Sequence, residues 1–342
     1  MKKFTLLLLV AFAGVLTANA ADNLYLHNQN DSWGAYPAFT NTGTDNGQDV
    51  YEYTLNSSTG LGTGDFYFRL KFADFNDDLR PYGGSDYSLL VNNVTDGYYE
   101  TYEITHSDGN FWGNNGAWYI PHSTIKASEY KITVYSTYRN KYYLKVEVVS
   151  MPATISNLGY STFSCGYALD LSNVTAYYAD NVSNGKVVLK KTTGKVPAAT
   201  GLLLAGSGTV NIPVVGTSEA TAISGNLLHA SVTATDITPQ SLTSDYYYFL
   251  SGTSAETIGF YHLNNGTTYT SGAGKAYLRT NTALANEGSG TRAAWIFQDN
   301  EPTAIEGVQQ TMGAQQYYDL QGRRVAQPTK GLYIVNGKKI IK

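Results

Sequence analysis

Cysteine is all but absent: Cys165 stands alone in 342 residues. That excludes an intramolecular disulfide framework and any multi-cysteine metal site. Cys165 lies in an alternating run with no histidine nearby, so it reads as a small buried hydrophobe and not as a nucleophile. Histidine is scarce too, limited to His27, His106, His122, His229 and His262, and none is paired at HExxH spacing. No GxSxG elbow, P-loop or GxGxxG occurs in the strand–turn–helix context that gives those motifs meaning. We therefore assign no catalytic residue, no cofactor and no metal. Charged residues are few, with 23 Lys and Arg against 27 Asp and Glu and a net charge of −4. Outside the last residues the basic side chains are not clustered, which argues against nucleic acid as a partner. After the first twenty residues no apolar run is long enough to cross a bilayer as a helix, so no transmembrane segment is expected.

The acidic groupings carry little chemistry. Asp74-Phe75-Asn76-Asp77-Asp78 offers oxygens of the kind Ca²⁺ takes, but it lacks the glycine and terminal glutamate of an EF-hand and reads as an acidic turn. Asp45-Asn46-Gly47-Gln48-Asp49 has the same standing. Glu52, Glu100, Glu103, Glu129 and Glu147 mostly alternate within strand-like runs and read as solvated faces. A glycoside-hydrolysing pair stays open at this point, because its two carboxylates need not be close in sequence.

What is present in quantity is tyrosine, glycine, threonine and serine, a composition that favours strands and turns over helices. The expected fold class is all-β: two tandem β-sandwich-like domains followed by a short C-terminal β-hairpin tail. Met1-Lys2-Lys3, the apolar stretch Phe4–Leu16 and Ala18-Asn19-Ala20 make residues 1–20 a signal peptide with a small-x-small cleavage site. Residues 22–150 show short alternating runs separated by turn-rich pieces, the pattern of a sandwich. Met151-Pro152 opens a second all-β domain over 151–300, where Leu202-Leu203-Leu204 reads as a strand buried on both faces. Residues 301–315 are a polar linker and 316–342 a tail, in which Asn336-Gly337 between Leu332–Val335 and Lys338–Ile341 is a hairpin signal.

The first domain holds 3 Trp, 16 Tyr and 6 Phe, out of 4 Trp, 29 Tyr and 12 Phe in the chain. A sandwich core takes up some of these rings. A surplus points to exposed rings, on which flat sugar faces stack. Phe111–Trp118 brackets a Gly/Asn turn with two indoles, and asparagine amides can pair with vicinal hydroxyls. The candidate ligand-binding residues are accordingly Trp33 and Tyr36, Arg80 and Tyr82, and Trp112, Asn114 and Trp118. For each tryptophan a core position competes with this reading.

Three resemblances add to this. Leu24-Tyr25-Leu26…Trp33-Gly34, Asp65–Phe72, Tyr82-Gly83-Gly84 and Glu129–Val134 are similar to surface starch-binding modules of the SusE/SusF type. That resemblance implies a glucan ligand held by tryptophans and a few polar side chains, and only Trp33 transfers by motif position. Gly159–Ser164, Val196–Leu204 and Gly274–Leu278 resemble a domain common near the C-termini of secreted Bacteroidetes proteins, which implies a structural spacer. Tyr318-Asp319-Leu320-Gln321-Gly322-Arg323-Arg324-Val325 and Lys330–Lys342 resemble the last part of the type IX (Por) sorting tails. The implied partners are a polysaccharide or oligosaccharide, a glucan, and the secretion machinery through the tail. The expected protein is secreted or displayed at the cell surface, associated with the outer membrane, carbohydrate-binding and non-catalytic. The alternative is a structural or adhesive surface protein with no sugar ligand.

Overall fold

A computed structural model describes residues 23–28, 37–72, 87–88, 117–138, 141–240, 245–286 and 292–298. It also describes the backbone of 317–318, 324–325, 332–335 and 338–341. Two compact units divide the chain, Met1–Asp299 and Asn300–Lys342. Residues 1–20, read from sequence as a signal peptide, lie outside the described part. No described helix is long and apolar enough to cross a membrane.

The chain is all-β. The first strands are β1 (Leu24–Asn28), β2 (Thr40–Asp45), β3 (Gln48–Asn56), β4 (Phe66–Phe72), β5 (Tyr87–Ser88), β6 (Trp118–Ile120), β7 (Glu129–Tyr138) and β8 (Lys141–Ile155). A one-turn helix, α1 (His122–Ile125), joins β6 to β7. Then come β9 (Tyr160–Phe163), β10 (Leu169–Asp170), β11 (Thr175–Ser183), β12 (Lys186–Thr192), β13 (Lys195–Val196), β14 (Leu202–Ala205) and β15 (Gly208–Pro213). The last of this unit are β16 (Leu228–Ser231), β17 (Thr235–Ile237), β18 (Tyr246–Ser251), β19 (Gly259–His262), β20 (Tyr269–Ser271), β21 (Lys275–Thr280) and β22 (Trp295–Gln298).

Two sheets build the first core. One has the order β1-β4-β6-β5, the other β15-β8-β7-β3-β2. β4 shows why: its side chains alternate, so Phe66, Phe68 and Leu70 are at most 1% exposed while Tyr67, Arg69 and Lys71 take the opposite face half-buried. The second sheet answers with Tyr51, Tyr53 and Leu55, with Tyr130, Ile132 and Val134, and with Leu144, Val146 and Val148, all in one cluster with the first. The β2–β3 turn needs left-handed backbone at two successive residues. Asn46 (φ 49°) and Gly47 (φ 78°) provide it, so the Asp45–Asp49 cluster is a tight hairpin with Asp45 opposite Gln48.

The boundary expected at Met151-Pro152 falls inside a strand. β8 runs unbroken from Lys141 to Ile155, and its last residues pair with β15. Proline is tolerated there for a geometric reason. The Val214 N–H donates to the Val149 carbonyl at 2.9 Å, so alternation along the ladder makes Pro152–Asn211 and Ser150–Pro213 non-hydrogen-bonded pairs. Neither proline's missing N–H falls on this ladder. On the other side of β8, pairing with β7 ends at Glu129–Ser150, before Pro152. The first core accordingly does not stop at residue 150. It continues through Phe163, Cys165, Ala176, Leu202, Leu204 and Ile212.

The third sheet, β22-β12-β11-β14-β9, is the joint. Leu202 and Leu204 of β14 enter the first core, and Leu203 enters a second with Ala179, Val187 and Leu189. All three leucines are fully buried, as a strand covered on both faces requires. The second core is closed by the sheet β16-β21-β18-β19, through Leu228, Leu278, Tyr248 and Phe260.

In the second unit, β23 (Tyr317–Tyr318), β24 (Arg324–Val325), β25 (Leu332–Val335) and β26 (Lys338–Ile341) form a sheet of order β24-β23-β25-β26. Val335 pairs with Lys338, so the two strands expected on either side of Asn336-Gly337 are partners; those two residues themselves lie outside the described part. The tail is thus a four-stranded sheet, larger than a lone hairpin.

Candidate functional site

Six of the seven residues singled out in the sequence, Trp33, Tyr36, Arg80, Tyr82, Trp112 and Asn114, lie outside the described residues. Trp118 is described, and its assignment is corrected. It is fully buried, opposite Phe68 on β4, with the two ring centroids 6.1 Å apart. Its position explains this: Trp118 and Ile120 occupy the inward phase of β6, whereas Tyr119 points the other way. Other rings of the first 150 residues are also core, among them Phe39, Tyr51, Tyr53, Phe66, Phe68 and Tyr130.

The outward phase of the same strands carries the candidate site. Tyr67 of β4 and Tyr119 of β6 are direct cross-strand partners, and their rings stack with centroids 5.0 Å apart at 24°. Both are half-buried, so one broad aromatic surface is shared by two strands. Along β4 the same face continues with the half-buried Arg69 and Lys71, which sit opposite His27 and Tyr25 of β1; His27 is buried, so Tyr25, Arg69 and Lys71 form the accessible part of the row. The face therefore joins a flat apolar patch to a row of hydrogen-bonding groups. None of His27, Tyr67, Arg69 or Lys71 is without a partner. Sequence reading missed this pair because it lies in plain strand alternation. The available signal was the phase of Phe66-Tyr67-Phe68-Arg69-Leu70-Lys71.

A second polar group lies beside α1. The His122 Nδ1 is 2.9 Å from the Tyr130 hydroxyl. Burial lowers the His122 pKa, against an opposing pull from Asp65. Burial also raises the Tyr130 hydroxyl well above its ordinary value. The backbone N–H and the hydroxyl of Ser123 both donate to Asp65 Oδ1, at 3.0 and 2.5 Å. Serine, histidine and aspartate are thus neighbours, but the serine donates to the aspartate while the histidine meets a tyrosine. That order is not the relay a nucleophilic serine requires.

Two of the five glutamates read as solvated faces, Glu147 and Glu52, are ion-paired. Glu147, read as part of a solvated face, is 4% exposed, with Lys145 at 2.6 Å and Lys131 at 3.4 Å. Glu52 reaches Lys131 from the other side at 3.4 Å. Burial opposes protonation of Lys131, but Glu147 and Glu52 outweigh it and raise its pKa. Glu129 accepts from the Asn56 side chain at 3.0 Å. Glu100 and Glu103 lie outside the described residues, as does Asp74–Asp78. Among the described residues no group of three or more His, Cys, Asp and Glu is placed to hold a metal. Cys165 is 7% exposed, and burial pushes its thiol up to about 11. Its thiolate is disfavoured at neutral pH, as suits a packing residue.

No family model, no curated protein and no solved structure matches this chain.

Proposed function

We propose that this is a non-catalytic carbohydrate-binding protein, secreted or displayed at the cell surface, whose ligand is a glucan of the starch type. The observation that carries the reading is the stacked Tyr67–Tyr119 pair on the outer face of a sheet whose inner face is core. A pyranose presents an apolar C–H face and a rim of hydroxyls. Flat rings flanked by Arg69 and Lys71 offer both kinds of contact. The lysine held between Glu52 and Glu147 supports the non-catalytic part, since both carboxylates are engaged in ion pairs. The signal peptide and the basic tail support export, with the secretion machinery as the tail's partner.

Affinity electrophoresis of the full chain in gels containing amylopectin tests this. Retardation is expected, and Tyr67→Ala with Tyr119→Ala should weaken it at least roughly tenfold, about 1.4 kcal/mol. Melting temperatures should stay within a few degrees of the parent. Retardation that survives both substitutions unchanged would remove the pair from the site.

A structural or adhesive protein is the second reading. It is favoured by the burial of Trp118 and its neighbours, because a core that absorbs the rings removes the surplus. On that reading no soluble polysaccharide retards the chain.

A further inference from the structure

The sheet β16-β21-β18-β19 closes the second core with one face, and its other face carries a ring on every strand. His229 of β16 is paired with Tyr277 of β21, and the two rings stack with centroids 5.4 Å apart at 16°. Tyr277 is 6.2 Å from Tyr247 of β18. Phe249 of β18 is paired with Tyr261 of β19, and Tyr269 meets Phe249 edge-on at 6.2 Å. The register Tyr248–Leu278 brings Phe249 level with Tyr277. His229, Tyr277, Phe249 and Tyr261 therefore form a row across four strands, about 14 Å long at the usual strand spacing. Every one of these rings is half-buried.

The polar groups on this face are placed over the rings. The Arg279 guanidinium lies 5.8 Å from the centre of the Tyr247 ring and donates to Asp245 at 2.6 Å. Its side chain is 42% exposed and that of Asp245 26%. The remaining donors of the guanidinium and the lone pairs of the carboxylate thus sit at the rim of the aromatic row. At the paired positions this face has no leucine, isoleucine or valine, only rings, Ser231, Lys275, Arg279, Ser251 and Gly259. The opposite face has Leu228, Leu250 and Leu278. Burial, and then Arg279, lower the pKa of His229, so its ring is neutral near pH 7.

We infer that this face is a second saccharide platform, which takes a neutral oligosaccharide or polysaccharide along the row His229–Tyr277–Phe249–Tyr261 with Arg279 and Asp245 bonding its hydroxyls. Cross-strand aromatic pairs stabilise sheets by themselves. A purely structural ladder does not call for an ion pair laid across half-exposed rings, nor for a face stripped of aliphatic side chains. The Arg279–Asp245 pair is internally compensated, which fits an uncharged, hydroxyl-rich ligand better than an ion. The platform belongs to the part of the chain that sequence reading assigned to a spacer. It does not depend on the Tyr67–Tyr119 site.

The test uses the full chain carrying Tyr67→Ala and Tyr119→Ala, run in gels containing amylopectin, arabinoxylan or galactomannan. Retardation by at least one of them is expected. It should fall at least tenfold with Tyr277→Ala and severalfold with Arg279→Gln, and Tyr277→Phe should retain it. Thermal unfolding reports whether each variant is folded. If Tyr277→Ala is not, Tyr247→Ala and Arg279→Gln decide. No retardation in any of the three gels, or retardation left unchanged by Tyr247→Ala and Arg279→Gln, overturns the inference. Binding lost through Tyr67→Ala and Tyr119→Ala alone keeps the first site and removes this one. Binding lost only through Tyr277→Ala and Arg279→Gln does the reverse.

Discussion

Trp118 shows how a single strand phase decides between core and site. It and Tyr119 are adjacent and both aromatic, yet one is fully buried and the other half-exposed. The burial has a cost. The indole Nε1 of Trp118 is enclosed with no hydrogen-bond partner among the described residues. An orphaned buried donor is unfavourable by about 1–3 kcal/mol. Trp118→Ala should destabilise the protein by about 3–5 kcal/mol through the cavity it leaves. Trp118→Phe keeps a ring and deletes the orphaned N–H, so its cost should be less than half as large. Urea unfolding midpoints of the two variants check this; equal losses would mean that the cavity left by the indole does not set the cost. The buried phase of Trp118 was legible in Ala117-Trp118-Tyr119-Ile120 only as one of two choices, because three strand residues set no phase by themselves.

At the scale of the element, alternation explains most of what the strands do. The outer face of β3, β7 and β8 is a ladder of charge: Glu52, Lys131, Glu147 and Lys145. Its members are unequal. Glu147 and Lys145 have side chains 5% and 17% exposed, while Glu52 and Lys131 are 36% and 40% exposed. Lys145→Ala should therefore cost about 2 kcal/mol, because it weakens the compensation of an enclosed carboxylate. Glu52→Ala should cost under about 1 kcal/mol, as exposed pairs do. Denaturant titration of both variants gives the ranking, and the reverse order would contradict the ladder as described. The strand character of these segments could be read from sequence. The burial of Glu147 could not, since it depends on two lysines reaching it from the adjacent strand and from its own.

At the scale of the molecule, a proline at a strand's end suggested a boundary that the pairing removes. β8 spans residue 151, and the first core draws Phe163, Leu202, Leu204 and Ile212 from beyond it. A fragment of residues 22–150 loses those contacts and the β15 partner of β8. It should lack a cooperative unfolding transition and well-dispersed amide resonances. A fragment ending at residue 299 should show both, and a folded 22–150 fragment would restore the two-domain division. The first unit joins its two cores through β14, whose middle leucine faces one and whose outer leucines face the other. The chain's all-β character, its Asn-Gly turn at 46–47, the pairing of Leu332–Val335 with Lys338–Ile341 and the double burial of Leu202–Leu204 follow from local rules of alternation, propensity and turn geometry, so the sequence by itself determined them. Which aromatic rings are core and which form the outward rows at Tyr67–Tyr119 and His229–Tyr261 depends on which strands lie side by side and in what register. Those partners are distant in the chain, His229 and Tyr277 among them. No local preference encodes such pairings, so only the tertiary structure decided them.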